Sequence, residues 1–185
     1  MRVIETALPG VLIIEPDVLA DNRGFFLVTY SAKRYADAGL PESFVQDNHS
    51  RSVPGTLRGL HYQLEQPQAK LVRCIRGALF DVAVDIRKGS PTFARWIGVE
   101  LSAANKRQLF IPPGFAHGFC VPIEESEMEY KCSDYYAPDD EFGIVWNDPT
   151  LRIEWPIEDP VVSAKDSQFG PLSADGEDLP LYKGG

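Results

Sequence analysis

Between Ala78 and Arg87 the chain reads A-L-F-D-V-A-V-D-I-R. Ala78, Phe80, Val82, Val84 and Ile86 fall on one face, and Asp81, Asp85 and Arg87 on the other. That period of two fits a strand and not a helix. Leu71 to Arg76, Trp96 to Leu101 and Gln108 to Ile111 read as further short strands bounded by Gly, Pro, Ser or Asn. Glu127 to Cys132 alternates too: Met128, Tyr130 and Cys132 share a face, so Tyr130 is expected to point inward. Fifteen glycines and fifteen prolines in 185 residues supply the turns that many short strands need. One helix is legible, Ser31 to Gly39, with Ser31 as N-cap and Gly39 as stop. Beyond about Asp139 turn signals thicken (Asn147-Asp148-Pro149, Trp155-Pro156, Asp159-Pro160, Gly170-Pro171), which predicts a tail that wraps the body. The expected architecture is mainly β: a single domain over 1–185, a jelly-roll sandwich or barrel with a few short helices and a wrapping C-terminal tail. The stretch from about Val3 to Pro16 is expected to be a strand covering an edge of a second subunit.

The formal net charge is -9, which repels nucleic acid and anionic lipid, so neither is expected as a partner. Cys74, Cys120 and Cys132 are an odd number with no CxxC spacing, and read as small buried apolar residues. The start, MRVIETALPG, places Glu5 and Pro9 where a signal peptide needs an apolar stretch, and no run approaches membrane-spanning length. A cytoplasmic protein is expected.

The chemistry concentrates in two places. In Gly55-Thr56-Leu57-Arg58-Gly59-Leu60-His61-Tyr62-Gln63 an arginine precedes one of only three histidines by three residues. Histidine moves protons near neutral pH, and arginine offers a fork for phosphate or carboxylate. Downstream, Ile111-Pro112-Pro113-Gly114-Phe115-Ala116-His117-Gly118 fits the cupin pattern P-x-G-x-x-H. His61-Tyr62-Gln63 then stands where a metal cupin carries H-x-H, with glutamine in place of the second histidine. His61, Glu65 and His117 could still supply three metal ligands, but glutamine is a poor one, and no metal is expected.

Beyond these, Phe44 to Ser52, Gln68-Ala69-Lys70-Leu71-Val72, Asp85-Ile86-Arg87, Ser90 to Phe93, Asn105-Lys106, Tyr130-Lys131-Cys132, Tyr135-Tyr136, Trp146 to Pro149 and Ser163 to Asp166 follow in order. Together with the two motifs, from about Arg23 to Asp166, this set resembles the dTDP-4-dehydrorhamnose 3,5-epimerase family. The resemblance implies a cupin-type jelly roll, a homodimer, no cofactor, and a thymidine-diphosphate 4-keto sugar as substrate. It further implies His61 as base, Asp166 as the carboxylate orienting it, Tyr130 as proton donor, and Lys70 beside the keto oxygen. Arg23, Gln46, Asp47, Asn48, Arg58, His117, Glu141 and Lys165 are implied substrate contacts, with Tyr136 stacking on thymine; Arg51 could add a further cation. As isolated residues, each has a blander fate: a packed histidine, a barrel-lining tyrosine, a solvated surface charge.

The sequence departs from the family at one point. Many members carry a glutamate two residues after Arg-Gly-Phe-Phe, and here Arg23-Gly24-Phe25-Phe26-Leu27 is followed by Val28. The implied reaction is epimerisation at carbons 3 and 5 of dTDP-4-dehydro-6-deoxy-D-glucose to dTDP-4-dehydro-L-rhamnose. The alternatives are a single-site epimerase or keto-isomerase on a related nucleotide sugar, a metal-dependent cupin oxygenase, and a non-catalytic sugar-nucleotide binder.

Overall fold

The computed structural model describes residues 1–40 and 43–184. In chain order the strands are β1 (Arg2–Glu5), β2 (Leu12–Glu15), β3 (Val18–Asp21), β4 (Gly24–Leu27), β5 (Gln46–Ser52), β6 (Leu57–Gln63) and β7 (Lys70–Arg76). They continue as β8 (Ala78–Asp85), β9 (Trp96–Ser102), β10 (Gln108–Ile111), β11 (Phe115–Cys120), β12 (Ser126–Cys132) and β13 (Glu141–Gly143). The helix α1 spans Ala32–Asp37. Ser31 is its N-cap residue but makes no side-chain capping bond, and Gly39 follows with a φ of 84°, the left-handed conformation that a glycine stop supplies. No helix among the described residues is long and apolar enough to cross a membrane.

Two antiparallel sheets form a cupin-type jelly roll. One runs β1-β2-β10-β7-β12-β5 and the other β13-β6-β11-β8-β9, while β3 and β4 pair only with each other. Between the sheets lie Val72, Cys74, Leu79, Ala83, Leu101, Leu109, Ile111, Phe115, Phe119 and Met128. The outer face of the longer sheet is covered where Tyr35 and Leu40 pack on Ile14, Leu71 and Phe110. The outer face of the other sheet is covered by the C-terminal tail: Ile144, Leu151 and Leu179 close over Leu60, Val82, Val84 and Ile86.

The tail corrects one sequence expectation. Alternation in β8 is real, and the strand ends at Asp85 rather than Arg87. Its apolar Val82–Val84 face is the outer one, under the tail, and the face carrying Asp81 looks into the barrel beside Leu79 and Ala83. Asp81 and Asp85 are both fully buried. Asp85 ties off the strand end: its carboxylate accepts from Arg87 Nε (2.8 Å) and Nη2 (2.7 Å), Ser90 Oγ (2.6 Å) and Thr92 Oγ1 (2.6 Å). Burial alone would push its pKa up, but these donors outweigh it and hold the carboxyl below its ordinary value. A carboxyl with a depressed folded pKa stabilises above the unfolded value, about 3.9, and that stability is lost as pH falls through the folded pKa. Asp85→Asn is therefore expected to lower the melting temperature at pH 7, with the gap to wild type closing in melts taken towards pH 3. A gap that stays constant contradicts this reading.

The N-terminus corrects another. Residues 3–16 are not one strand but a hairpin, β1 with β2, that extends the chain's own sheet through β2 and β10. Pro9-Gly10 makes the reversal, with Gly10 at a φ of 91°.

Candidate active site

One end of the barrel is filled by the core and the other opens into a cavity of about 350 Å³. His61, Arg58, Gln63, His117 and Glu141 line it from the β6–β11–β13 sheet. Lys70, Tyr130, Cys132, Gln46, Asn48 and Ser50 line it from the other sheet, with Tyr136 on the segment after β12. The imidazole of His61 and the phenol of Tyr130 thus stand on opposing walls of one space.

Residues three apart on a regular strand face opposite ways, yet Arg58 and His61 both line the cavity. A break in register explains it. His61 is opposite His117, but Arg58 is opposite Phe119, so β6 carries one residue more than β11 between these pairs. Gly59 lies in this bulge at a φ of 122°, and a Cβ there would stand 2.5 Å from Gly118 Cα and 2.8 Å from His117 O. Only glycine fits so close an approach. Its N–H donates to Asp166 Oδ2 (3.1 Å), while Asp166 Oδ1 meets His61 Nε2 at 2.9 Å. The bulge therefore turns His61 inward and helps hold the carboxylate that orients it. Burial pushes Asp166 up, but His61, the Gly59 amide and Ser163 outweigh it, so its carboxyl sits below the usual value. Phe169 packs edge-on against the imidazole with ring centroids 5.7 Å apart. The second ring nitrogen, Nδ1, has no protein partner among the described residues.

Burial raises the Tyr130 phenol above its ordinary pKa, with Cys132 adding to the shift, so it remains protonated well past neutral pH. Burial lowers the Lys70 ammonium, partly opposed by Cys132, Asp81 and Glu141. Lys70 makes no ion pair among the described residues, which leaves its charge free for a ligand. At the mouth, Glu141 accepts short bonds from Tyr136 Oη and from Lys165 Nζ, and its Oε1 is 4.0 Å from His61 Nε2. Arg58 is steadied by Ser52 Oγ (3.1 Å) and the carbonyl of Arg51 (3.3 Å).

Not every expected residue arrives. In β5, Gln46 and Asn48 face the cavity, whereas Asp47 and Arg51 face away by strand alternation. Asp47 accepts from Lys131 Nζ (2.9 Å) and Arg51 pairs with Glu125, so this chain's cavity wall loses both. Arg23 sits on the β3–β4 turn, bound to Asp21 (2.5 Å), and is not among the lining residues. Glu65 is likewise absent from the lining, and no three His, Cys, Asp or Glu side chains among the described residues converge as metal ligands. The trio His61, Glu65 and His117 does not form, because Glu65 belongs to the turn beyond β6.

Sequence reasoning passed over Asp81. His117 Nε2 lies 3.0 Å from each of its carboxylate oxygens, so the cavity holds a second imidazole–carboxylate pair beside the first. The signal was present: Leu79 and Ala83 flank Asp81 on its own face, making both faces of β8 apolar and leaving one aspartate that needs a buried partner.

The model of the family described as dTDP-4-dehydrorhamnose 3,5-epimerase matches residues 5–174. The chain belongs to this family. It is similar to the dTDP-4-dehydrorhamnose 3,5-epimerase of Shigella flexneri, 57% identical over 168 residues, covering 90% of this chain and 93% of that one. It is 54% identical over 182 residues to that of Pseudomonas aeruginosa, covering 97% of this chain and all of the relative. Among solved structures, that of the dTDP-6-deoxy-D-glucose-3,5-epimerase of Legionella pneumophila in complex with dTDP-4-keto-L-rhamnose superposes with a TM-score of 0.95 at 50% identity, covering 99% of both chains. Val28 is the position at which this chain is expected from its sequence to depart from the family pattern. It follows β4 on the hairpin that carries Arg23 and is partly exposed.

Proposed function

We propose that this chain epimerises carbons 3 and 5 of dTDP-4-dehydro-6-deoxy-D-glucose, giving dTDP-4-dehydro-L-rhamnose with no cofactor or metal. The observation that carries the reading is the pair His61 and Tyr130 facing one cavity from opposite sheets, with Lys70 also in the lining. A ketone at carbon 4 acidifies the C–H bonds on both neighbouring carbons. His61 Nδ1 takes the proton, and the C–H electron pair moves into the carbonyl to give an enolate. Asp166 stabilises the imidazolium that forms. In this reading Lys70, from the same lining, offsets the developing oxyanion, and His117, paired with Asp81, lines the same pocket. Tyr130 Oη delivers its proton to the opposite face of the carbon, and exchange with water resets both groups.

The same reading assigns the mouth to the nucleotide. Arg58 and Lys165 offset the diphosphate, Tyr136 stacks on thymine, and Gln46, Asn48 and Glu141 supply polar contacts. Arg23 cannot join them within one chain. The β3–β4 hairpin that carries it exposes Leu19 (67%), Phe25 (58%) and Phe26 (64%), an apolar surface suited to a partner. A C₂ homodimer, in which this hairpin serves the neighbouring cavity, accounts for both facts. The buried free cysteines suit a reducing, cytoplasmic setting, and the net negative charge disfavours nucleic acid and membrane partners.

Val28 favours a second reading, epimerisation at one carbon or keto-isomerisation of a related nucleotide sugar. Incubating chelator-treated protein with the substrate in deuterated water separates them by NMR. Deuterium at carbons 3 and 5 with an L-rhamno product supports the first reading, and label at one carbon or a shifted ketone supports the second. Tight thymidine-diphosphate binding with no exchange means a binding protein. Activity that dies on chelation and returns with iron sinks the cofactor-free mechanism.

A further inference from the structure

Gln63 stands where a metal cupin carries its second histidine, and the structure shows what it does instead. Its carboxamide is spent on backbone: Nε2 donates to the carbonyls of Tyr135 (3.2 Å) and Gln66 (2.7 Å), and Oε1 accepts the N–H of Ala137 (3.1 Å), so two of the three bonds flank Tyr136. Asp140 completes the frame by accepting the N–H groups of Leu64 (3.2 Å), Glu65 (3.0 Å) and Gln66 (2.8 Å). Both side chains are 9% exposed. Residues 135–137 lie outside any strand, and β13 is only three residues long, so regular sheet pairing does little to fix this segment. Yet it carries Tyr136 and Glu141, and Gln63 is directly opposite Glu141 in the β6–β13 register.

We propose that Gln63 and Asp140 are positioning residues that fix Tyr136 and Glu141 relative to His61. Nucleotide bound at the mouth then sets the sugar within reach of the imidazole. The inference rests on the reading of Tyr136 as the residue that meets the base. A histidine at position 63 could not replace the amide. Imidazole offers two nitrogens on a rigid ring, whereas these three backbone bonds need two N–H donors and an acceptor on one planar group.

The test is Gln63→Leu, with Asp140→Asn as a second variant should the first not fold, read by calorimetric binding of thymidine diphosphate and by steady-state kinetics. Leaving buried carbonyls unpaired loosens the segment, so Kd and KM are expected to rise about tenfold. Because His61, Asp166 and Tyr130 are untouched, kcat is expected to stay within about twofold. In a Tyr136→Ala background the same change is expected to add clearly less to Kd than in the wild-type background, since one of the two residues it positions is already gone. A full further loss in that background, a fall in kcat with KM unchanged, or unimpaired binding by the folded variant would overturn the positioning role while leaving the epimerase reading intact. Failure of the wild-type protein to bind thymidine diphosphate would overturn that reading, and this inference with it.

Discussion

His61→Asn is expected to abolish proton exchange at both carbons while thymidine-diphosphate binding persists. Asparagine keeps a polar group in the cavity and can still meet Asp166, but its amide has no basic nitrogen. Removing a positioned general base costs about 10²–10⁴ in rate. Here the loss is expected at the upper end, because His49, the remaining histidine besides His117, points to the outer face and pairs with Glu127 at 3.0 Å. His117 is committed to Asp81. Binding is expected to survive because the nucleotide contacts proposed for Arg58, Tyr136 and Lys165 do not pass through the imidazole. Calorimetry with thymidine diphosphate, run beside the exchange assay, separates the two effects. Comparable loss of both would mean that His61 holds the cavity together rather than moving protons.

Asp166→Asn is expected to cost nearly as much, for a reason visible in its two oxygens. One meets His61 Nε2 and the other accepts the Gly59 N–H, so the site needs two acceptors. An asparagine has one oxygen. Turned to satisfy Gly59, it points its NH₂ at His61 and forces the proton onto Nδ1, the nitrogen needed as base. Turned the other way, it sets two donors against each other at Gly59. A fall of about 10²–10⁴ in kcat is expected, as for a triad histidine held in the wrong tautomer. KM is expected to change little, which steady-state kinetics reads directly. A large rise in KM at unchanged kcat would make Asp166 a binding residue instead.

Much of this arrangement was legible in the sequence, and the misses have definite causes. The bounding turn residues placed β7, β9 and β10, and period two placed β8 and β12 and turned Tyr130 inward. It could not say which side of β8 is the interior. Alternation distinguishes two faces, and here both are covered, one by the opposite sheet and one by the tail. That left Asp81 legible only as a member of the face opposite the apolar one. β5, Q-D-N-H-S-R-S, contains no apolar side chain, so nothing in its pattern separates Gln46 and Asn48 from Asp47 and Arg51. The Arg58–His61 pairing was noticed as a motif, but only the bulge at Gly59 makes it a geometry. The N-terminal hairpin has its signal in Pro9-Gly10, a turn pair in the middle of the stretch expected to be one strand. Arg23 shows a different limit: in the proposed dimer its place depends on a second copy of the chain, which no local pattern encodes.

Separate roles for an acid and a base on facing walls are tested most directly by Tyr130→Phe in deuterated water, following isotope uptake and configuration in the same NMR sample. The base remains in this variant, so deuterium is expected to enter the sugar while inversion becomes slow. Isotope uptake and inversion that fall together by the same factor would contradict it.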